Sequence, residues 1–213
     1  MKLDLSPEVA AECLNACGIT FLFAPLYHPA MKHAAAPRRE LGIRTVFNLL
    51  GPLTNPAGVR RQVLGVFERR WVEPLARVLA ALGVDHALVV SSLDGLDEIS
   101  PSDSTQVCEV KNAEISLYHV QPEDLGEPRQ PLASIRGGEA NFNAELLAEV
   151  LAGTPHPAST AVSLNAGAAL YVAGLAASLR EGVAQARSAL ESRAARDKLG
   201  SWAAWTQSRA SSP

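Results

Sequence analysis

Apolar residues in the first part of the chain recur at the spacing of one helix face. Ser6 and Pro7 suit the N-cap and first turn of a helix, and Gly18 suits its C-terminal end. The buried face of this predicted helix consists of Val9, Ala10, Cys13, Leu14 and Cys17. Residues 19–23 are mostly apolar and predict a short buried strand or extended segment. A second helix is expected over residues 29–42.

The middle of the chain has the pattern of a strand, a helix and a second strand. Residues 62–67 and 86–91 are apolar runs that predict buried strands, and residues 72–82 between them predict an amphipathic helix. A crossover helix of this kind predicts parallel pairing of the two strands with a right-handed connection. Residues 105–110 and 114–120 follow as a predicted hairpin or two edge strands.

The last third of the chain is predominantly helical in pattern. Candidate helices cover residues 143–152, 159–172, 178–191 and 194–205. Residues 121–136 are rich in proline, glycine and charge and predict a surface connection, while residues 208–213 predict a disordered tail. We therefore expect one α/β domain over residues 1–207 with a helical layer at its C-terminal end.

Composition and charge argue against two classes of partner. The 213 residues include 19 Lys and Arg against 22 Asp and Glu, so nothing favours nucleic acid or an anionic membrane. No apolar run is long enough to span a bilayer. The odd count of three cysteines, without a recognisable signal peptide, indicates a reducing cytoplasm. Cys13 and Cys17 lack further ligands at metal spacing, so small buried thiols are expected.

Two adjacent carboxylates follow the second predicted strand. Asp97 and Glu98 come after the loop that contains Asp94, and ligands in open α/β sheets bind where strands end. Two carboxylates there suit Mg²⁺, which prefers oxygen ligands, but a solvated acidic turn is the alternative. We interpret Asp94 as a turn residue and Asn165 as a buried amide whose partners are backbone groups.

A rigid turn follows two arginines in the sequence. Gly51 allows close backbone approach, and Pro52 and Pro56 each fix a φ angle and remove a backbone donor. Beside Arg38 and Arg39 such a turn suits one wall of a pocket for a small anion, or it is a tight turn within a core.

Several long segments of the chain are similar to one enzyme family. HPAMKH at 28–33, RRELGIRT at 38–45 and FNLLGPLTNP at 47–56 closely resemble anthranilate phosphoribosyltransferases. GLDEIS at 95–100, LNA at 164–166 and AALY at 168–171 support the match. The resemblance implies the C-terminal part of the nucleoside phosphorylase/phosphoribosyltransferase-type α/β domain, with a mostly parallel sheet and helical layers.

The resemblance also implies an activity and its site. The family transfers the phosphoribosyl group of phosphoribosyl pyrophosphate to the amine of anthranilate, a step of tryptophan biosynthesis. Asp97 and Glu98 stand at the implied Mg²⁺ ligands, and Arg38 at the residue that binds the anthranilate carboxylate. The substrate side further includes His28, Met31 and Pro52. None of these residues is implied as a catalytic acid or base.

This chain departs from the family pattern in two respects. Pro37 is shifted by one position, which leaves the direction of Arg38 open, and the glycine-rich loop that cradles phosphate is missing. We therefore expect the C-terminal portion of the enzyme, with half of its site. The longer family members are expected to be homodimers. A non-catalytic paralogue or interaction subunit, and a pyrimidine nucleoside phosphorylase-like enzyme, stay open as alternatives.

Overall fold

The chain folds as two compact units. The computed structural model describes residues 1–28, 40, 42, 50, 51 and 53–209. We call Met1–Pro56 with Ala194–Pro213 the terminal unit, and Ala57–Arg193 the sheet unit. The α/β class is confirmed by the sheet and helices described below. A single domain over residues 1–207 stays a prediction.

Seven helices and four strands make up the described part of the chain. The helices are α1 Pro7–Cys17, α2 Ala24–Tyr27, α3 Val72–Ala81, α4 Ala140–Leu151, α5 Ala158–Ala173, α6 Leu179–Glu191 and α7 Ala194–Ser208. The strands are β1 Arg61–Gly65, β2 His86–Ser92, β3 Thr105–Lys111 and β4 Glu114–Val120. Short 3₁₀ turns lie at Arg69–Trp71, Pro122–Leu125 and Leu132–Ile135.

In the terminal unit, α1 forms with both of its predicted caps. The Ser6 hydroxyl accepts the N–H of Val9 at 3.4 Å. Gly18 has a φ of 71° and donates its N–H to the Leu14 carbonyl at 2.8 Å, which is a left-handed cap that glycine adopts without strain. Leu5, Ala10, Cys13 and Cys17 form a small core against Trp202 and Trp205 of α7.

Three expectations for this unit are revised. Leu14 was predicted on the buried face of α1, but it is 48% exposed because it lies on the side away from this core. Residues 19–23 form no strand and are not buried, since Phe21 and Phe23 are exposed, whereas the alternative of an extended segment agrees with the extended backbone of Phe23. Ser208, predicted to begin a disordered tail, ends α7 instead, and residues 210–213 and most of the expected helix over 29–42 lie outside the described residues.

The sheet unit contains a mixed sheet in the order β1-β2-β3-β4. As predicted, β1 and β2 are parallel, with Gly65 opposite Val90, and β3 and β4 form an antiparallel hairpin. Because the chain returns from β2 to β3 without a crossover helix, that pair is also antiparallel. The expectation of a mostly parallel sheet is therefore wrong for the described strands.

Helices α5 and α6 pack closely over one face of this sheet. Leu164, Ala168 and Val172 of α5 join Leu88 and Val90 of β2 in the buried core. The two helices approach where a Cβ on Gly182 would lie 2.2 Å from the carbonyl oxygen of Gly167, so both positions need glycine.

The connection between β4 and α4 is more structured than the sequence suggested. It was predicted as a surface connection, yet Pro122, Leu125 and Glu127 are buried within the sheet unit. In the described ranges, no helix is long and apolar enough to cross a membrane.

Candidate functional site

The two predicted metal ligands lie in an exposed loop that follows β2. We call residues 93–98 the acidic loop; it begins one residue after the end of β2, beside the end of the parallel strand β1. Asp97 and Glu98 are both exposed to solvent, whereas every residue of β2 is buried. The carboxylates therefore stand at the carboxyl end of the parallel strand pair, where α/β sheets bind ligands.

Asp94 stabilises the acidic loop through hydrogen bonds to its carboxylate. Its carboxylate accepts hydrogen bonds from the hydroxyls of Ser92, Ser100 and Ser102, the second at 2.6 Å, and from the N–H of Leu96 at 3.3 Å. Burial of this carboxyl raises its pKa, but the hydrogen bonds from the three serines outweigh that effect and leave the pKa of Asp94 below its ordinary value. The interpretation of Asp94 as a turn residue is confirmed.

Asn165 of α5 fixes the chain where the acidic loop ends. Its Oδ1 accepts the N–H of Ile99 at 2.9 Å, and its Nδ2 donates to the carbonyls of Ile99 at 3.0 Å and Ala161 at 2.9 Å. Ile99 is buried in the sheet core. The amide is thus satisfied by backbone, as predicted, although Asn165 is only partly buried. Its bonds to Ile99 also fix the chain next to Glu98.

Gly65 leaves the room that the acidic loop occupies. A Cβ built at this last residue of β1 would lie 1.6 Å from the carbonyl oxygen of Asp97. Backbone cannot yield to that contact as a flexible side chain can. The backbone of Asp97 therefore rests directly on the end of β1.

The acidic loop is electrostatically suited to a cation. Partial burial, and then the negative charge of Asp97, raise the pKa of Glu98 above its ordinary value although the residue remains solvent-accessible. Among the described residues, neither carboxylate forms an ion pair of the kind that holds Glu127 or Asp85. A cation would relieve the repulsion between the two charges.

The donor set fits Mg²⁺ that is shared with a substrate. No group of three or more His, Cys, Asp or Glu side chains within the described ranges is arranged to enclose a metal ion. Mg²⁺ commonly uses one or two carboxylates and completes its octahedron with waters and substrate phosphates. Two adjacent carboxylates on an open loop match that mode of binding.

Of the four residues predicted on the substrate side, His28 lies within the described part of the chain. His28 directly follows α2, is partly buried and donates its backbone N–H to the Ala24 carbonyl at 3.0 Å. Arg38, Met31 and Pro52 lie outside the described residues. His28 belongs to the terminal unit and the acidic loop to the sheet unit, so each is described within its own unit.

Part of the proline-rich turn is visible. The Thr54 hydroxyl contacts the carbonyls of Leu50 at 3.0 Å and Gly51 at 3.2 Å, and its N–H donates to Gly51 at 3.1 Å. Leu50, Gly51 and Leu53 are helical, so these bonds close the end of a helical segment, and the turn that was predicted to begin at Gly51 begins only at Thr54.

Sequence reasoning missed the residues that support the acidic loop. Gly65 carries no sequence signal for a contact with Asp97, because the two residues meet only when β1 and β2 pair. The serines had a signal: SSLDG and SPSDS flank the loop, and serine and aspartate at such density favour local hydrogen-bonded turns.

These features define a class of protein. Residues 1–196 match the model of the glycosyl transferase family, a/b domain, and the chain belongs to that family. Its relatives narrow the comparison further. The chain is 52% identical over 208 residues to a protein named anthranilate phosphoribosyltransferase from Thioalkalivibrio sulfidiphilus, covering 98% of this chain and 62% of the relative. The resemblance stated from the sequence is confirmed.

Two solved structures share the fold. The crystal structure of anthranilate phosphoribosyltransferase from Thermus thermophilus aligns with a TM-score of 0.91 at 44% identity, over 97% of this chain and 61% of that one. The enzyme of the same name from Saccharomyces cerevisiae, in complex with PRPP and Mg, aligns with a TM-score of 0.86 at 26% identity, over 96% and 59%. The chain thus spans about three-fifths of the length of these relatives.

Proposed function

We propose that this chain belongs to an enzyme that transfers the phosphoribosyl group of phosphoribosyl pyrophosphate to anthranilate in tryptophan biosynthesis. The observation that carries the proposal is the acidic loop, with its two unpaired carboxylates at the carboxyl end of the parallel strands. The relative that binds PRPP and Mg, and the names of the other relatives, supply the substrate class.

The acidic loop would bind the metal ion that acts on the departing pyrophosphate. Asp97 and Glu98 would hold Mg²⁺, and the ion, when bound, would neutralise charge on the departing pyrophosphate. Asp94, Asn165 and Gly65 would hold these two carboxylates in place before substrate arrives. No residue of this chain is proposed to donate or accept a proton in the reaction.

The anthranilate side is proposed from the resemblance. Arg38 would hold the carboxylate of anthranilate through two hydrogen bonds, because a planar guanidinium matches that group. His28, Met31 and Pro52 would line the space for the aromatic ring. An Arg38→Lys variant tests whether Arg38 holds the carboxylate in this way despite the shifted proline. Lysine keeps the positive charge but removes the bidentate geometry.

The chain by itself would hold only half of a site. A glycine-rich phosphate cradle is missing from its 213 residues, so we expect formation of phosphoribosyl-anthranilate far below the rate of the Thermus thermophilus relative. A product assay with both proteins side by side tests this. Comparable rates would refute the half-site proposal while leaving the reaction itself supported.

The metal assignment has a separate test. Mn²⁺, used as a paramagnetic probe for the Mg²⁺ site with phosphoribosyl pyrophosphate present, should bind the purified chain. Asp97→Asn and Glu98→Gln should each weaken that binding by about tenfold or more, since each removes one charged oxygen ligand. Glu145→Gln on the exposed face of α4 is the matched control and should bind as the unmodified chain does.

A second candidate, a non-catalytic interaction subunit, has one observation in its favour. The terminal unit exposes Leu3, Phe21, Phe23 and Leu26, each 40% exposed or more, which is surface suited to association. A strictly monomeric and well-folded chain in sedimentation analysis would count against it. The relatives are named for anthranilate, which favours the transferase over a pyrimidine nucleoside phosphorylase. A cytoplasmic location and a homodimeric longer enzyme remain predictions.

A further inference from the structure

A cleft of about 560 Å³ lies in the sheet unit, apart from every residue assigned to metal or substrate above. Its walls come from the connection after β4, from the start of α5 and from the end of α6. That volume is within the range of sites that bind small molecules.

An ion pair between a buried glutamate and a partly exposed arginine lines the cleft. Glu127 is 4% exposed, and its carboxylate accepts two bonds from Arg187, Nη2–Oε2 at 2.5 Å and Nε–Oε1 at 3.1 Å, and one from the Thr160 hydroxyl at 3.4 Å. The side chain of Arg187 is 45% exposed, so the guanidinium reaches solvent in the cleft. Its Nη1 is not used by Glu127 and remains a donor for a ligand.

Two further donors line the same cleft, and neither has a hydrogen-bond partner among the described residues. His156 Nδ1 accepts the N–H of Ala158 at 3.0 Å, so the neutral ring carries its proton on Nε2. Ser163 is 2% exposed, and within the described ranges its hydroxyl has no hydrogen-bond partner. The oxygen of this hydroxyl is not fully enclosed, so it is open to a ligand group in the cleft.

The rest of the lining combines polar residues, such as Gln130, Thr154 and Ser159, with an apolar wall and a second acid. Val150 and Leu190 form an apolar wall, and both are buried. Glu191 lines the cleft, is exposed, and forms no ion pair within 4.0 Å among the described residues. Two carboxylates against one guanidinium disfavour a multiply charged anion such as a phosphate ester.

We propose that this cleft binds an α-amino acid. The carboxylate would accept hydrogen bonds from Arg187, His156 and Ser163, the ammonium group would pair with Glu191, and the side chain would pack on the apolar wall. A zwitterion is the class of ligand that uses the donors, the free acid and the apolar surface together. The proposal does not rest on the proposed function.

The experiment is calorimetric titration of the purified chain with a panel of L-amino acids. At least one should bind saturably, and its deaminated analogue, which keeps the carboxylate and side chain, should bind about tenfold more weakly. Glu191→Gln should weaken binding of the amino acid by a similar factor and leave the affinity for the deaminated analogue unchanged. Ser163→Ala should weaken binding of both.

Controls keep the outcome decisive. Glu145→Gln changes another exposed glutamate, which lies outside the cleft, and should change neither affinity. Glu191 is at the surface, so its variant should keep the thermal midpoint of the unmodified chain even if Ser163→Ala does not. The proposal is overturned if no amino acid binds at about 10 mM, a concentration that covers very weak affinities. It is equally overturned if the deaminated analogue binds as tightly, or if neither variant changes the affinity.

Discussion

Single atoms decide whether the acidic loop can form, and Gly65 shows this most directly. The hydrogen atom that glycine carries in place of a Cβ is what lets the Asp97 carbonyl lie against the end of β1. We expect Gly65→Ala to displace the loop and destabilise the chain by about 1–3 kcal/mol, the usual range for overpacking. Chemical denaturation measures the change.

The matched control for that substitution is Gly200→Ala. Gly200 lies inside α7, and a Cβ there would meet no atom within 4 Å. Because alanine is the better helix former, this variant should be neutral or stabilising by up to about 1 kcal/mol. Equal destabilisation by both variants would contradict the proposed contact between Gly65 and Asp97.

The raised pKa of Glu98 predicts the direction in which the stability of the chain changes with pH. Its pKa is raised, by burial first and by the charge of Asp97 second, so the folded chain holds this proton more tightly than the unfolded chain. The stability that this group contributes is therefore present at low pH and declines as the pH rises through the ordinary carboxyl range to the raised value.

Unfolding experiments over a pH series, without metal, test this effect. Glu98→Gln should remove that decline, and metal binding by the unmodified chain should strengthen over the same interval because the carboxylate must be ionised. If the stability of the unmodified chain and that of Glu98→Gln changed identically with pH, the raised pKa of Glu98 would be contradicted.

At the scale of elements, α5 connects the sheet, the acidic loop and α6. Asn165 of this helix satisfies both backbone groups of Ile99. Asn165→Ala should leave those buried groups unpaired and destabilise the chain by about 1–3 kcal/mol. Metal binding at Asp97 and Glu98 should weaken as well, and thermal unfolding with Mn²⁺ titration separates the two effects. Unchanged metal affinity would show that the amide has no positioning role.

The contact between α5 and α6 offers a second prediction at this scale. Gly182→Ala would place a Cβ 2.2 Å from the Gly167 carbonyl, so the helices must separate. We expect a loss of about 1–3 kcal/mol in the free energy of unfolding. Ser188→Ala on the exposed side of α6 is the control and should change stability little. A stable Gly182→Ala variant would refute the close packing.

At the scale of the whole molecule, each unit carries its own buried thiol reporter. Cys13 and Cys17 lie in the terminal unit and Cys108 in the sheet unit, and all three are free and buried. A thiol reagent should therefore react slowly with the native chain and rapidly in guanidinium chloride. Mass mapping at intermediate denaturant reports the opening of each unit separately. Rapid labelling of Cys108 in native buffer would contradict its burial in β3.

Much of the fold follows from local pattern. The caps of α1 are read from Ser6 and Gly18, and the parallel pairing of β1 and β2 from the crossover helix between them. The mixed character of the sheet was not predicted, because the family resemblance implies a mostly parallel sheet whereas the chain returns from β2 to β3 without a helix. The burial of Glu127 also escaped prediction, since its partner Arg187 is 60 residues away.

The sequence by itself determined most of the helices, the parallel pair β1–β2, the hairpin β3–β4, the two carboxylates and the resemblance to the transferase family. Each of these depends on residues that are close in sequence or on motifs that are read directly. The tertiary structure alone decided what supports the acidic loop and what lines the cleft beside Glu127 and Arg187. Those features join residues that are distant in sequence, such as Gly65 with Asp97 and Glu127 with Arg187. Such pairs exist only once strands pair and helices pack, because no local spacing encodes them.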